Sequence, residues 1–269
     1  MILSWLRAHP APALALLAVA LILAAPLAWP VDPIRQNLLE TLQPPSAAHP
    51  LGTDHLGRDI LARLLHGAPR SLGFALVSVA GAAALGLSLG LIAADRRGWR
   101  DVAIMRLADL MLAFPGLLLA LLLAGFLGGG PVPMLIALLL TLWPQFARMS
   151  RAVALGELTS AHVEASRLAG MPRHLILTRQ VLPPVLRQTA ALAAMSVGGA
   201  IITISALGFL GLGMQPPTPE WGAMITELLP YVHSAPVQIA APCLAIFVTV
   251  LFCLLLGERY GQRREAVVT

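Results

Sequence analysis

The chain has 269 residues, 58% of them hydrophobic and 12% charged, with a mean hydropathy of +0.80. A water-soluble globule, in which about 45–50% of residues are apolar, is excluded. All eighteen basic side chains are Arg, against thirteen acids, so chemistry that needs a lysine, such as a P-loop phosphate site or a Schiff base, is excluded too.

Aromatic residues make up 5% of the chain, too few to interleave with the arginines as base-stacking platforms, so the positive charge does not read as a nucleic-acid surface. Gaps between consecutive Asp, Glu and Arg residues mark what can cross a bilayer, because each such charge at a helix centre costs about 2.5–3.5 kcal/mol. Five long gaps, of 24, 24, 38, 32 and 30 residues, follow Arg7, Arg70, Asp109, Arg187 and Glu227; one span needs about 20. The 38-residue gap would make a helix of about 57 Å and is interrupted by Gly128, Gly129, Gly130 and Pro131, so it holds two helices and a turn. The predicted fold is all-α with six transmembrane helices, at about 10–29, 71–94, 104–127, 132–149, 187–213 and 237–257. With the N-terminus inside, fourteen of the eighteen arginines fall on inner segments and Arg35, Arg58, Arg63 and Arg70 outside. The positive-inside rule selects this orientation, with both termini cytoplasmic.

In chain order, residues 1–30 read as an N-terminal transmembrane anchor. A cleaved secretory signal peptide is the alternative, since Arg7 precedes the apolar run and Ala24 and Ala25 lie near a cleavage-type site. Residues 31–70 form a periplasmic loop in which Thr53 and Asp54 are placed to cap a short helix from about His55 to His66, with Gly67 following it. Asp59 and Arg63, four apart, share one face of that helix and can pair. The loop either folds an outer vestibule or docks a receptor. His49, His55 and His66 lie in it without ligand spacing and read as hydrogen-bonded loop histidines rather than a metal site.

In the third span Asp109 lies three residues from Arg106, which predicts a local ion pair, with a proton-relay acid as the alternative. Pro115 and Pro144 are expected to kink the third and fourth spans. Residues 150–186 carry charges too closely spaced to cross the membrane and form the longest cytoplasmic segment. There Thr159 or Ser160 can cap a first helix from Ala161 to Ala169, and Gly170 suits the left-handed C-terminal position. Pro172 opens a second helix, Arg173 to about Val181, which Pro183 and Pro184 are expected to end before the fifth span. A short stiff helix held at both ends by membrane helices can pass on a push from a soluble partner.

Gly208, Gly211 and Gly213 thin the end of the fifth span, for close approach or for the bending a gate needs. Pro216, Pro217 and Pro219 stiffen the next outer loop, and Trp221 beside Glu220 reads as an interfacial anchor or a substrate contact. Cys243 and Cys253 fall in the last span, without disulfide or zinc spacing, as small packing residues.

Residues 164–183, EASRLAGMPRHLILTRQVLP, resemble the EAA loop of ATP-binding-cassette (ABC) importer permeases, in which Glu-Ala-Ala, three residues, Gly and a later Leu-Pro recur. Glu164, Ala165, Gly170, Leu182 and Pro183 match; Ser166 replaces the third small residue, and Gln180 stands where an aliphatic is usual. Residues 49–61, HPLGTDHLGRDIL, and 207–222, LGFLGLGMQPPTPEWG, resemble signature segments of the dipeptide, oligopeptide and nickel branch, in its second-permease subunit. The resemblance extends over about residues 50–257, and the ending ERYGQRREAVVT is shorter and more basic than is usual there.

This resemblance implies a type I ABC importer permease fold in the bacterial inner membrane, with a multi-pass permease core at 71–257 and a cytoplasmic tail at 258–269. It implies a transport subunit that is not an enzyme and binds no cofactor or metal, ATP and Mg being handled by partners. Those partners are a second homologous permease, two cytoplasmic ATP-binding subunits and an extracytoplasmic substrate-binding protein, in a lipid surround. Glu164, Ala165, Ser166, Gly170, Leu182 and Pro183 become the ATPase-coupling residues, and Thr53, Asp54, Asp59, Glu220 and Trp221 candidates for an outer gate or receptor docking. The implied cargo is peptides or nickel and metal-chelator complexes. The rival from another class is an ion-gradient-driven secondary transporter, which calls for intramembrane ionisable groups and often an internal repeat; the sequence offers Asp109 and no evident repeat.

Overall fold

The computed structural model of the chain describes residues 24–95 and 98–262. Their named elements are all helical, and one isolated β-bridge pairs Thr53 with Asp59. The expected first span lies outside the described residues except for its end, where Ala25–Ala28 make a 3-10 turn.

Helix α1, Ile60–Asp95, has 36 residues and is about 54 Å long. The separate short helix expected at 55–66 does not form. Asp59 accepts a hydrogen bond from the Ala62 amide at 2.6 Å through Oδ1, which starts the helix there, and it continues through Gly67 and Pro69 into the span. Gly67 is a packing position rather than a stop: a Cβ on it would lie 3.2 Å from the Trp221 ring.

The expected third span is broken. Helices α2, Trp99–Leu112, and α3, Gly116–Phe126, meet at 94°, with Pro115 extended at φ −57°, ψ 124° between them. The proline ring removes one backbone donor and pushes the residue before it out of the helical region. At eleven residues α3 is about 17 Å long and too short to cross alone. Helix α4, Pro131–Leu158, runs well past the expected end at 149 and keeps Pro144 inside it.

After α4 the chain turns through α5, Ala161–Leu168, and the short α6, Arg173–Ile176. A π-helical turn, Leu177–Val181, then leads directly into α7, Leu182–Phe209. Pro183 and Pro184 therefore do not end a helix. They sit in the first turn of α7, with the π-helical turn directly before them. Helices α8, Trp221–Leu228, and α9, Pro236–Gln262, complete the described chain.

Four helices among the described residues are long and apolar enough to cross a membrane: Ile60–Asp95, Pro131–Leu158, Arg173–Phe209 and Pro236–Leu255; the bent α2–α3 pair makes a fifth if it is one broken span. The core lies where α1, α4 and α7 meet, around Val79, Trp143, Phe146, Ile201 and Ile204. Small residues allow the α1–α4 contact. A Cβ on Gly86 would come 2.5 Å from Phe146 Cβ, and one on Gly90 2.5 Å from the Ala147 carbonyl, so the two backbones approach as small-residue membrane seams do. A second cluster, Ala94, Ala154, Leu158, Val163, Ile176, Val181 and Val185, lies beneath α5.

Candidate functional site

Two structures stand at opposite ends of the bundle: an elbow at α5–α6, and a set of buried polar groups where α8 meets the start of α1.

At the elbow, Gly170 has φ +80°, its amide donates to the Arg167 carbonyl at 3.0 Å, and the Met171 amide donates to the Ser166 carbonyl at 3.0 Å. This pairing closes a helix on a left-handed glycine, as the sequence predicted. The predicted side-chain cap is absent: Ser160 Oγ donates to the Glu157 carbonyl at 2.6 Å, and Thr159 Oγ1 donates back to Leu155 and Gly156. Val163, fully buried, anchors α5 on the second cluster. Glu164, Ala165 and Arg167 face outward, with Arg167 Nη1 3.4 Å from Glu164 Oε2.

Ser166 is half-buried, Leu182 opens α7, and Pro183 beside it is exposed. Sequence reasoning missed Leu168, 83% exposed at the tip of α5; the available signal was an apolar residue next to Arg167 in a short polar helix. Arg173 ties the elbow to the end of α1 through its Nε, 2.8 Å from Asp95 Oδ1. Arg151 ties α4 to α2 with a two-pronged pair to Asp101, at 2.5 and 2.6 Å. Asp109 faces Arg148 of α4, at 3.5 Å, in place of the expected partner Arg106.

At the other end four charges form a closed ring. Asp54 Oδ2 accepts from Arg58 Nε at 2.6 Å and from Arg63 Nη1 at 3.1 Å. Both guanidiniums then reach Glu227 of α8, Arg58 Nη2 donating to Oε1 at 2.9 Å and Arg63 Nη2 donating to Oε2. The two arginine side chains are 1% exposed and Glu227 13%. The expected Asp59–Arg63 pair is thus replaced: Arg63 belongs to this ring, and Asp59 Oδ2 lies 2.8 Å from His49 Nδ1. Thr53 Oγ1 accepts from the Gln43 amide and donates to the Glu40 carbonyl. The three loop histidines go separate ways, His55 stacking on Tyr231 and His66 bonding the Ala62 carbonyl.

Glu220 caps α8. Its Oε1 accepts from the Gly222 amide at 2.9 Å and from Ser71 Oγ at 3.2 Å, and its Oε2 from the Ala223 amide at 2.9 Å. Burial pushes its carboxyl above the ordinary range, against the lowering effect of these donors. Trp221 is 4% exposed and donates from Nε1 to the Leu64 carbonyl at 3.0 Å, so it is a buried strut rather than an interfacial anchor. Gly222 lies against the Ser205 backbone and Gly208 against the Glu220 carboxylate, contacts that any side chain would block. Thr53, Asp54, Asp59, Glu220 and Trp221 are all buried, so none of them offers a surface to a receptor in this conformation.

Residues 86–261 match the family described as binding-protein-dependent transport system inner membrane component. The chain belongs to this family. Among relatives of these ABC permeases, it is 41% identical over 249 residues to the di/tripeptide transport system permease protein DppC of Pseudomonas aeruginosa, covering 90% of this chain and 82% of the relative. It is 42% identical over 214 residues to the glutathione transport system permease protein GsiD of Pectobacterium atrosepticum, covering 80% and 71%. To GsiD of Escherichia coli it is 41% identical over 256 residues, covering 94% and 84%.

The inward-facing methionine ABC transporter MetNI shares the fold in its native crystal form, with a TM-score of 0.58 at 19% identity over 73% of this chain and 93% of that one. The type I importer permease fold is thereby established, as is a multi-pass inner-membrane component. Its relatives are permease subunits of ABC importers and not ATPases. The family works with a binding protein and an ATPase, and this membership disfavours the ion-gradient alternative.

Proposed function

We propose that the chain forms half of the translocation pathway of an ABC importer, the other half being a second homologous permease. Two cytoplasmic ATP-binding subunits hydrolyse ATP with Mg, and an extracytoplasmic binding protein delivers the cargo. The chain itself holds no nucleotide site, in line with its lack of lysine. Di- and tripeptides or glutathione are the proposed cargo, by analogy with the named relatives. In this reading six spans place both termini and the elbow in the cytoplasm.

Coupling runs through α5. The observation that carries it is the division of that helix: Val163 is buried in an apolar cluster to which α1, α4 and α7 also contribute side chains, while Glu164 and Leu168 project away from the bundle. A load applied to the projecting face therefore enters this shared cluster, and closure of the ATPases switches the packed bundle between two arrangements. Ala165, Ser166, Gly170, Leu182 and Pro183 shape this lever. At the far end Glu220, Trp221 and, through Arg58 and Arg63, Asp54 hold α8 against α1, Thr53 and Asp59 fasten the loop before α1, and together they act at the outer gate from within.

The test replaces Glu164 with Ala and Gly170 with Val in the complex purified with its own subunits. Cargo-stimulated ATPase activity and uptake should both fall about tenfold, a loss of about 1.4 kcal/mol of coupling. Full coupling in both variants overturns the reading.

A further inference from the structure

Residues 164–183 depart from the loop they resemble at Ser166 and Gln180, and these two side chains touch. Gln180 Nε2 lies 2.7 Å from Ser166 Oγ, joining α5 to the π-helical turn that leads into α7. The direction of the bond follows from proton counting. Ser166 has one hydroxyl proton and places it on the His162 carbonyl at 2.9 Å, so its oxygen accepts from the amide.

Gln180 is half-buried. Its Oε1 is buried with no hydrogen-bond partner among the described residues, and besides Ser166 its Nε2 meets Met171 Sδ at 3.6 Å. Its neighbours Ile176 and Val181 belong to the apolar cluster beneath α5. A half-buried primary amide with its oxygen unpaired depends heavily on the one good bond it makes.

We infer that Ser166 and Gln180 are a positioning pair, a polar clasp that fixes the angle between α5 and α7 so that displacement of α5 reaches the long helix without slack. The role rests on the reading of α5 as the coupling helix. The two residues are unequal. Ser166→Ala leaves Nε2 only the weak thioether contact of Met171, with Oε1 still unpaired. Gln180→Leu leaves Ser166 bonded to His162 and holds the joint by aliphatic packing on the cluster in place of the polar bond. Alanine, the small residue usual at that place in related loops, is therefore the harmful substitution here, and Gln180→Leu repairs it.

The test uses the complex purified with its own partner subunits and reconstituted with its binding protein, with dialanine and glutathione as probes. Stimulated ATPase activity, uptake per ATP hydrolysed and amide hydrogen exchange of residues 161–170 are measured. Ser166→Ala should lower the ratio of stimulated to basal ATPase about fivefold and speed exchange in α5 by a similar factor. Gln180→Leu should change both by less than about twofold, and the double variant should return to the level of Gln180→Leu. Amide exchange needs no cargo and scores the clasp whichever probe the complex accepts.

The clasp is refuted by wild-type behaviour of Ser166→Ala, or by a double variant no better than Ser166→Ala alone. If Glu164→Ala and Gly170→Val uncouple the complex while Ser166→Ala does not, the clasp fails and the coupling reading stands. If those two variants stay fully coupled, the coupling reading itself fails.

Discussion

Glu220 shows how a single side chain acquires a meaning its neighbours in sequence do not carry. The carboxylate caps α8, and Ser71, 149 residues away, donates to it from α1. Because burial raises its proton affinity above the ordinary value of about 4.5, the folded chain binds this proton more tightly than the unfolded chain. Stability contributed by the protonated form is therefore complete below about 4.5 and is lost as pH rises through the raised folded value. Glu220→Gln should remove this slope. In thermal unfolding of the detergent-solubilised protein, the wild type should lose ground relative to the variant as pH rises above the ordinary carboxylate range; parallel curves would contradict the assignment. The string holding Glu220 and Trp221 stood out in the sequence, yet Trp221 read as an interfacial residue. Its indole is buried by Leu64 and Gly67, and no local pattern announces a contact made across more than 150 residues.

Among elements, the charge ring is the strongest cross-link between the loop before α1 and helix α8. Glu227→Gln would leave two buried guanidiniums sharing the single carboxylate of Asp54. Breaking one member of such a group costs about 3–5 kcal/mol, mostly through the charge left uncompensated. The variant should therefore unfold at a clearly lower temperature in detergent, whereas a midpoint within a degree or so of wild type would show that the ring carries no stability. Glu227 was legible as the acid that opens the last long apolar gap, but its partners were not, because Asp59 and Arg63 offered a simpler pairing four residues apart. Helix ends divided in the same way. Gly170 was readable because a left-handed glycine closes a helix by bonds within a few residues. The continuation through Pro183 and Pro184 was not, because the π-helical turn that accommodates them depends on Ile176 and Val181 being buried against other helices.

At the level of the whole molecule, spacing between charges located α1, α4, α7 and α9, since the price of a charge in hydrocarbon applies along the entire span. It could not show which faces meet. Gly86 and Gly90 read as ordinary small residues of an apolar run, and their use emerges from the crossing of α1 on α4. Gly90→Val puts three carbons where the Ala147 carbonyl, Ser150 and Arg151 leave no room. Overpacking of this kind costs about 1–3 kcal/mol, so the variant should show a lower unfolding midpoint and a smaller yield of intact complex; Gly73→Val, at a site with nothing within 4 Å, is the control that should keep both. A normal midpoint for Gly90→Val would mean that α1 and α4 do not touch there. A kink at Pro115 was legible from the proline itself; its size, 94°, was not.

The charge ring has one more consequence. Its two cations and two anions cancel within a largely buried cluster, so dissolved ions, which act through water over about 10 Å at 0.1 M, find little field there to weaken. At the opposite pole the Arg167–Glu164 and Arg173–Asp95 pairs stand in solvent, with their arginines 48% and 69% exposed. Ionic strength is thus a reagent with an address: it loosens the lever and leaves the far end deaf.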